Sequence, residues 1–290
     1  MSTKTINDPP TAQRYALLGW PVKHSVSPQM QGAGFQALGI DATYELIEVH
    51  PKDLGVCVER LRDTGFAGWN VTVPHKEQVI DMVNHVDPGA RAAGSVNTVI
   101  NRGGVLHGFS TDGYGLEAAL RESFGVALRN KVFTFIGTGG AARATSVYFA
   151  CQGAAHIVLV NRTVAKAERL AETIAKAAPE CRLTVIGLGG TESIRKALPE
   201  SAAIIQGTSL GLHEGDPLPF PPEQLPPDIP VMDMIYRTTP FLAGAAQQGC
   251  PTADGRGMLL HQGVRSFELW TDRTAPVDAM RAGLETALTR

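Results

Sequence analysis

The sequence predicts an α/β fold in two parts, an N-terminal open and mostly parallel α/β domain followed by a doubly wound one. Three observations predict it. Short apolar strands alternate with helical patterns from about residue 14 to 110. A continuous apolar strand, KVFTFIG, then runs straight into a glycine turn and a helix. Two further helices come after the strands of that second part are used up. The expected division is residues 1–115 and 116–257, with the helices of 258–290 packing back on the first domain.

The elements follow in order. RYALLGW is a strand reaching Gly19. SPQMQGAGFQALG is a helix with Ser27 as N-cap, Pro28 at the first helical position and Gly39 at the stop. TYELIEV alternates as a strand, and PKDLGVCVERLRDTG is an amphipathic helix closed by Gly65. AGWNVTV is a strand and KEQVIDMVNHV a helix. SVNTVINRGGVLHGFS is a hairpin turning at Gly103-Gly104. A helix near Leu116 links the two parts. After KVFTFIG and its helix come the strand HIVLV, the helix VAKAERLAETIAKAA, and the strands RLTVIG, AAIIQGTS and PVMDMIY. The stretch Asp216 to Pro230 is too proline-rich for a helix and reads as an extended loop. GMLLHQGVRSFELWT and PVDAMRAGLETAL are the closing helices, with Trp270 and Phe267 as packing residues.

The totals exclude several functions. The 290 residues suffice for two domains, and 43% hydrophobic residues can bury a sizeable core. A net charge of −2, with no basic run, argues against nucleic acid or a membrane surface as partner. No apolar run reaches the roughly 18 residues of a membrane helix. The polar start MSTKTINDPP lacks the apolar stretch of a secretory signal. Cys57, Cys151, Cys181 and Cys250 are too scattered for a metal knuckle or a disulfide framework, so a reduced, cytoplasmic setting is expected. His75, His85, His107 and His261 lack metal-ligand spacing, so no metal is expected. His24 is expected to brace its loop rather than exchange protons.

Gly137-Thr138-Gly139-Gly140-Ala141-Ala142 follows a strand and opens a helix. It fits G-x-G-x-x-A: Gly137 permits the sharp turn, Gly139 the approach of a pyrophosphate, and Ala142 close packing. The helix N-terminus then supplies N–H donors and a positive dipole end. An NAD site usually carries an acid about 20 residues further on, for the ribose 2′-OH. Here the tip is Asn161-Arg162-Thr163, with Lys166 one turn into the helix, a set suited to a 2′-phosphate. NADP is therefore favoured, with NAD possible, on a Rossmann-type domain.

Hydride transfer to a ketone needs a proton donor and groups that fix the substrate. Polar clusters end several strands of the first part: GWPVKHSVSP, NVTVPHK, GSVNT and GFSTDGYG. Parallel strands gather such ends on one rim. Lys76 and Asp112 are the lysine–carboxylate pair across these clusters. Ser25 and Ser27 lie two apart before a helix start, where either one serine only caps the helix or the two hydroxyls and the free N–H groups hold a carboxylate without a positive charge.

These motifs resemble the shikimate dehydrogenase family, in one collinear order over nearly the whole chain. G-x-P-x-x-H-S-x-S-P is matched by Gly19 to Pro28, N-V-T-x-P-x-K by Asn70 to Lys76, and A/S-V-N-T by Ser95 to Thr98. N-T-D-x-x-G is matched by Thr111, Asp112 and Gly115, the glycine loop and N-R-T by Gly137 to Ala142 and Asn161 to Thr163, and G-M-L-x-x-Q by Gly257 to Gln262. The resemblance implies reversible reduction of 3-dehydroshikimate by NADPH, in a cleft between the domains. It implies Lys76 and Asp112 as catalytic dyad, Ser25, Ser27 and Tyr236 on the substrate carboxylate, and Asn70, Thr72, Asn97 and Gln262 on its hydroxyls. Gly137, Thr138, Gly139, Gly140, Ala141, Asn161, Arg162, Thr163, Lys166, Thr208 and Gly257 would line the cofactor. The expected partner is a shikimate-like hydroxy acid, and the expected state a monomer or homodimer.

The chain also departs from the family pattern. Ser110 stands for an Asn, Gln31-Gly32 for His-Asn, and Gln206-Gly207-Thr208 for N-A-T. The stretch after Tyr236 is two residues short, and Trp69 is bulky. These departures are expected beside the pocket and suggest either a divergent paralogue with weaker turnover or an altered substrate, or neutral drift. Two other readings remain open: oxidation of quinate or an amino analogue, and a silent binder of ligand or nucleotide. The intact Lys76 and Asp112 argue against the silent binder.

Overall fold

The computed structural model describes residues 12–289; the polar start that bears on a secretory signal lies outside the described residues. In chain order the elements are β1 (Gln13–Gly19), α1 (Ser27–Ala37), β2 (Ala42–Glu48), α2 (Leu54–Asp63), β3 (Gly68–Val71), β4 (His85–Val86), α3 (Pro88–Ala93), β5 (Thr98–Arg102), β6 (Val105–Phe109) and α4 (Asp112–Phe124). They continue with β7 (Val132–Ile136), α5 (Gly140–Cys151), β8 (His156–Asn161), α6 (Val164–Ala177), β9 (Arg182–Gly187), α7 (Thr191–Ala197), β10 (Ala203–Gln206), β11 (Val231–Asp233), α8 (Pro240–Gln247), β12 (Thr252–Ala253), α9 (Arg256–Thr271) and α10 (Val277–Leu288). No described helix is long and apolar enough to cross a membrane.

The first compact unit holds the described residues up to His85, then 96–108, then the chain from Ser266 onward. Its sheet runs β2-β1-β3-β5-β6-β4. β1 pairs in parallel with β2 and β3, whereas β3 and β5 are antiparallel, so the sheet is mixed rather than mostly parallel. The β5–β6 hairpin turns at Gly103 and Gly104, with φ of 63° and 91°. Tyr15 stacks on Phe35 with ring centroids 5.0 Å apart, and Phe35 lies 5.1 Å from Phe267. The C-terminal half of α9 and α10 thus close this core, and α10 meets α1 where a methyl on Gly283 would stand 2.6 Å from the Gln29 carbonyl.

Two local expectations change. Ser27 is the first helical residue of α1, and the N-cap is Val26, which makes no side-chain bond. The Ser25 hydroxyl receives the Ser27 N–H instead, at 3.3 Å. KEQVIDMVNHV forms only a 3-10 turn, Gln78–Met82, before β4. Val79 is the turn's one buried residue, too little apolar surface to hold a longer helix. Asn84 is instead drawn into the sheet by paired bonds with Leu106, at 3.0 and 2.8 Å.

The second unit holds 86–95 and 109–265. Its sheet, β12-β11-β10-β7-β8-β9, is parallel throughout its strand pairs. Phe133, Phe135, Ile157, Leu159 and Ile205 pack on one face with residues of α4, α5 and α6. Ile136, Val158, Val160 and Ile204 pack on the other with residues of α7 and α8. Both faces are buried, as an apolar run such as VFTFI requires. The chain changes unit after His85, Ser95, Gly108 and Arg265, not at 115 and 257. The reason is packing: Ala93 of α3 is part of the same buried cluster as Phe133 and Phe149.

Candidate active site

On the first unit the C-terminal ends of β1 and β3 lie side by side, with Leu18 opposite Val71. The Thr72 N–H donates to Leu18 O at 2.8 Å, and Trp20 N–H to Val73 O at 3.1 Å. Gly19 is required there, because a methyl on it would stand 2.5 Å from Thr72 Cγ2. Asn97 and Lys76 join the same rim through the backbone. Val71 N–H donates to Asn97 O and Val96 N–H to Lys76 O, both at 2.9 Å. His75, fully buried, pins the lysine loop with its Nε2 2.8 Å from Val49 O. Burial holds the His75 imidazole below its ordinary pKa. Ser25, Ser27, Asn70, Thr72, Lys76 and Asn97 therefore stand together on one unit.

The serine loop is held by its own backbone, with Ser25 N–H donating to Val22 O at 3.0 Å. His24, expected as the brace, is exposed. Ser25 Oγ donates to Ser27 Oγ at 3.1 Å. Asn70 is tied on every side: its Oδ1 accepts from Tyr44 Oη at 2.8 Å, and its Nδ2 reaches Asn97 O, Thr98 Oγ1 and Ser266 Oγ at 3.0, 3.1 and 3.0 Å. Tyr44, Thr98 and Ser266 were missed from sequence. Thr98 carried a signal as the last residue of the matched A/S-V-N-T motif, and Tyr44 one as a tyrosine in the parallel neighbour of β1.

On the second unit Asp112 occupies the first turn of α4, 3% exposed, with Thr111 as N-cap. Here α9 crosses α4 at close range, since a methyl on Gly115 would stand 2.8 Å from Gln262 Cβ and from Met258 O. Gln262 Nε2 donates to Leu259 O at 2.8 Å. Gly257 serves the same crossing, 3.1 Å from Ala119 Cβ by the same measure. Tyr236 is 49% exposed on the loop after β11. The neighbouring Arg237 fastens that loop by donating to Gly211 O and Leu212 O at 2.7 and 2.6 Å.

The glycine turn has the expected form. Gly137 has φ +94°, and its Cα faces Thr208, where a methyl would clash at 2.6 Å with Cγ2. Nothing lies within 4 Å of a methyl built on Gly140, and only Gly207 O, at 3.9 Å, near one on Gly139. The start of α5 is thus open and carries no side-chain cap. This is room for a dinucleotide pyrophosphate at the helix N-terminus. At the tip of β8 the Asn161 Nδ2 donates to Thr163 O at 2.8 Å, shaping the turn that exposes Arg162, Thr163 and Lys166.

The departures from the family pattern are placed mostly in packing. Trp69 is fully buried, on the strand face opposite Asn70. Gln31 is also buried. Gln206 turns inward, donating to Leu210 O at 3.1 Å and accepting from the Thr208 N–H. It also bonds Asp233, whose carboxylate accepts from Ile235 N at 3.0 Å and Thr239 Oγ1 at 2.7 Å. Burial raises the Asp233 pKa despite these bonds. This knot staples the Thr208 loop to the Tyr236 loop. Among the described residues no group of three or more His, Cys, Asp or Glu could hold a metal ion.

Known proteins match along the chain. Residues 17–99 match the family described as shikimate dehydrogenase substrate binding domain, 119–209 shikimate/quinate 5-dehydrogenase, and 255–285 shikimate 5′-dehydrogenase C-terminal domain. A shikimate dehydrogenase (NADP(+)) of Desulforamulus reducens is 42% identical, covering 91% of this chain and 92% of its own. One of Symbiobacterium thermophilum is 40% identical, covering 94% and 93%. The solved shikimate 5-dehydrogenase of Listeria monocytogenes, in complex with shikimate and NAD, superposes with a TM-score of 0.88 at 34% identity, covering 97% and 99%. That of Thermus thermophilus, with NADP(H) and shikimate, gives 0.83 at 31%, covering 95% and 99%.

Proposed function

The chain belongs to the shikimate dehydrogenase family, and from that premise we propose that it is an NADP-dependent shikimate dehydrogenase interconverting shikimate and 3-dehydroshikimate. The observation that carries the reading is the 42% identity to a shikimate dehydrogenase (NADP(+)) over nine-tenths of both chains. When bound, NADP supplies or accepts the hydride at the carbon bearing the oxygen. The α5 start, Gly137 to Ala141, would hold the pyrophosphate, and Arg162 with Lys166 the 2′-phosphate, with Asn161, Thr163, Thr208 and Gly257 beside them.

Lys76 gives its proton to the substrate oxygen as the ketone is reduced, and takes it back in the oxidation. Asp112 is the carboxylate assigned to the same proton transfer. Ser25, Ser27 and Tyr236 hold the carboxylate, and Asn70, Thr72, Asn97 and Gln262 the ring hydroxyls. All four cysteines are unbridged, which fits a reduced cytoplasmic setting. Monomer or homodimer is the proposed state, measured by sedimentation.

The test is a steady-state assay of shikimate and quinate against NADP and NAD. Turnover of shikimate with NADP at the highest kcat/KM supports the reading. A higher value with quinate or with NAD overturns the substrate or the cofactor assignment separately.

A further inference from the structure

Tyr44 lies in none of the site motifs, yet it touches two of them. Its hydroxyl donates to Asn70 Oδ1 at 2.8 Å and is itself bonded by the Ser27 side chain. Ser27 in turn accepts from Ser25 Oγ at 3.1 Å. Beyond Asn70 the bonds continue from Nδ2 to Ser266 Oγ and Thr98 Oγ1. One phenol thus joins the serine pair to the carboxamide that faces it across the sheet. Ser27 and Asn70 are 7% and 6% exposed, so water is largely kept from the chain of bonds.

The arithmetic of hydrogens gives this chain a direction. A tyrosine hydroxyl has one hydrogen to donate and can accept besides. With that hydrogen on Asn70, Tyr44 must accept from Ser27, and the single Ser27 hydrogen is used. Burial pushes the Tyr44 phenol far above its ordinary pKa, so the hydrogen is always present. A carboxylate arriving at the serines draws the Ser27 hydrogen to itself. The Tyr44 hydrogen can then turn to Ser27 Oγ, which leaves Asn70 Oδ1 open to accept a hydroxyl.

We propose that Tyr44 is a positioning residue that couples carboxylate capture at Ser25 and Ser27 to hydroxyl acceptance at Asn70. This rests on the roles given above to those residues. The device discriminates for acids that carry a ring hydroxyl at the right distance, because each end readies the other.

Tyr44→Phe removes the hydroxyl and keeps the ring, which packs 6.1 Å from Trp270. It should raise the KM for shikimate about 3- to 10-fold, the worth of one hydrogen bond, and leave kcat and the KM for NADP within about twofold. Ser27→Ala combined with Tyr44→Phe should be no worse than the poorer single variant. An unchanged KM in Tyr44→Phe, or single effects that multiply, overturns the proposal. A second measurement needs no turnover: the side-chain amide NMR signals of Asn70 in the ligand-free enzyme. Ser27→Ala should move them in the wild type and leave them still in a Tyr44→Phe background. Equal movement in both backgrounds overturns the relay. If wild type fails to oxidise shikimate while the Asn70 signals respond through Tyr44, the relay stands and the substrate assignment falls.

Discussion

At the residue scale, Lys76 and Asp112 carry the sharpest expectation. General acid–base catalysis is worth about 10²–10⁴-fold, so Lys76→Ala and Asp112→Ala should each lower kcat by that much and change shikimate binding far less. A Lys76→Ala enzyme that keeps most of its kcat removes the lysine from proton transfer. Such residues were open to proposal from sequence because each sits in a local motif whose order along the chain is its signature. Ser266 was not, since it meets Asn70 across 196 residues of sequence, and nothing near Ser266 says so. Trp69 and Gln206 were legible as departures but not as core residues. The face a strand residue takes, or the inward turn of a buried amide, depends on partners far along the chain.

At the element scale, the tip of β8 and the loop after β3 each support a measurement. If Arg162 grips a 2′-phosphate, Arg162→Ala should weaken NADP by about 10- to 150-fold, from about 1.5–3 kcal/mol for a charge-assisted bond, and leave NAD nearly unchanged. Equal loss for both cofactors shows that the tip reads something other than the phosphate. The β3 loop depends on His75, whose folded pKa lies below its ordinary value of 6.5, chiefly through burial. The unfolded chain then binds the proton more tightly. Stability from this residue is present above about pH 6.5 and is lost as pH falls through the unfolded value toward the folded one. In urea melts between pH 7.5 and 5.5, His75→Gln should therefore show a shallower loss of stability than wild type. Identical slopes overturn the assignment. Long periodic elements such as α5 and α6 were legible from the sequence. The short α3 was not, although its marks are all present: Asp87 accepts from Gly89 N at 2.9 Å and Ala90 N at 3.2 Å, and Gly94 ends it at φ +61°. Six residues give too little periodicity to outweigh a loop reading.

At the scale of the whole molecule, the two-part reading was legible from length and strand rhythm, but the crossing points were not. One of them, Arg265 to Ser266, falls inside the 16-residue helix α9, where no linker composition marks it. Another hands only residues 86–95 to the second unit. The consequence can be measured on fragments. Residues 116–257, the domain expected from sequence, omit α3 and the first turn of α4, and stop one residue short of Met258. Ala93 and Met258 both belong to the buried cluster around Phe133, Phe149 and Ile157. A methyl on Gly94 would stand 2.7 Å from the Arg143 guanidinium, so α3 also seats the first turn of α5. Each large apolar side chain withdrawn from such a core forfeits about 1.5–3 kcal/mol, and a whole domain has only about 5–15 kcal/mol in hand. The fragment 116–257 should therefore unfold over a broad, weakly cooperative urea transition. A fragment of 86–265, with 96–108 replaced by a Gly/Ser linker, should unfold sharply and at higher urea. Equal midpoints for the two fragments would return the boundary to residue 116 and make α3 an ornament of the second unit rather than part of its core.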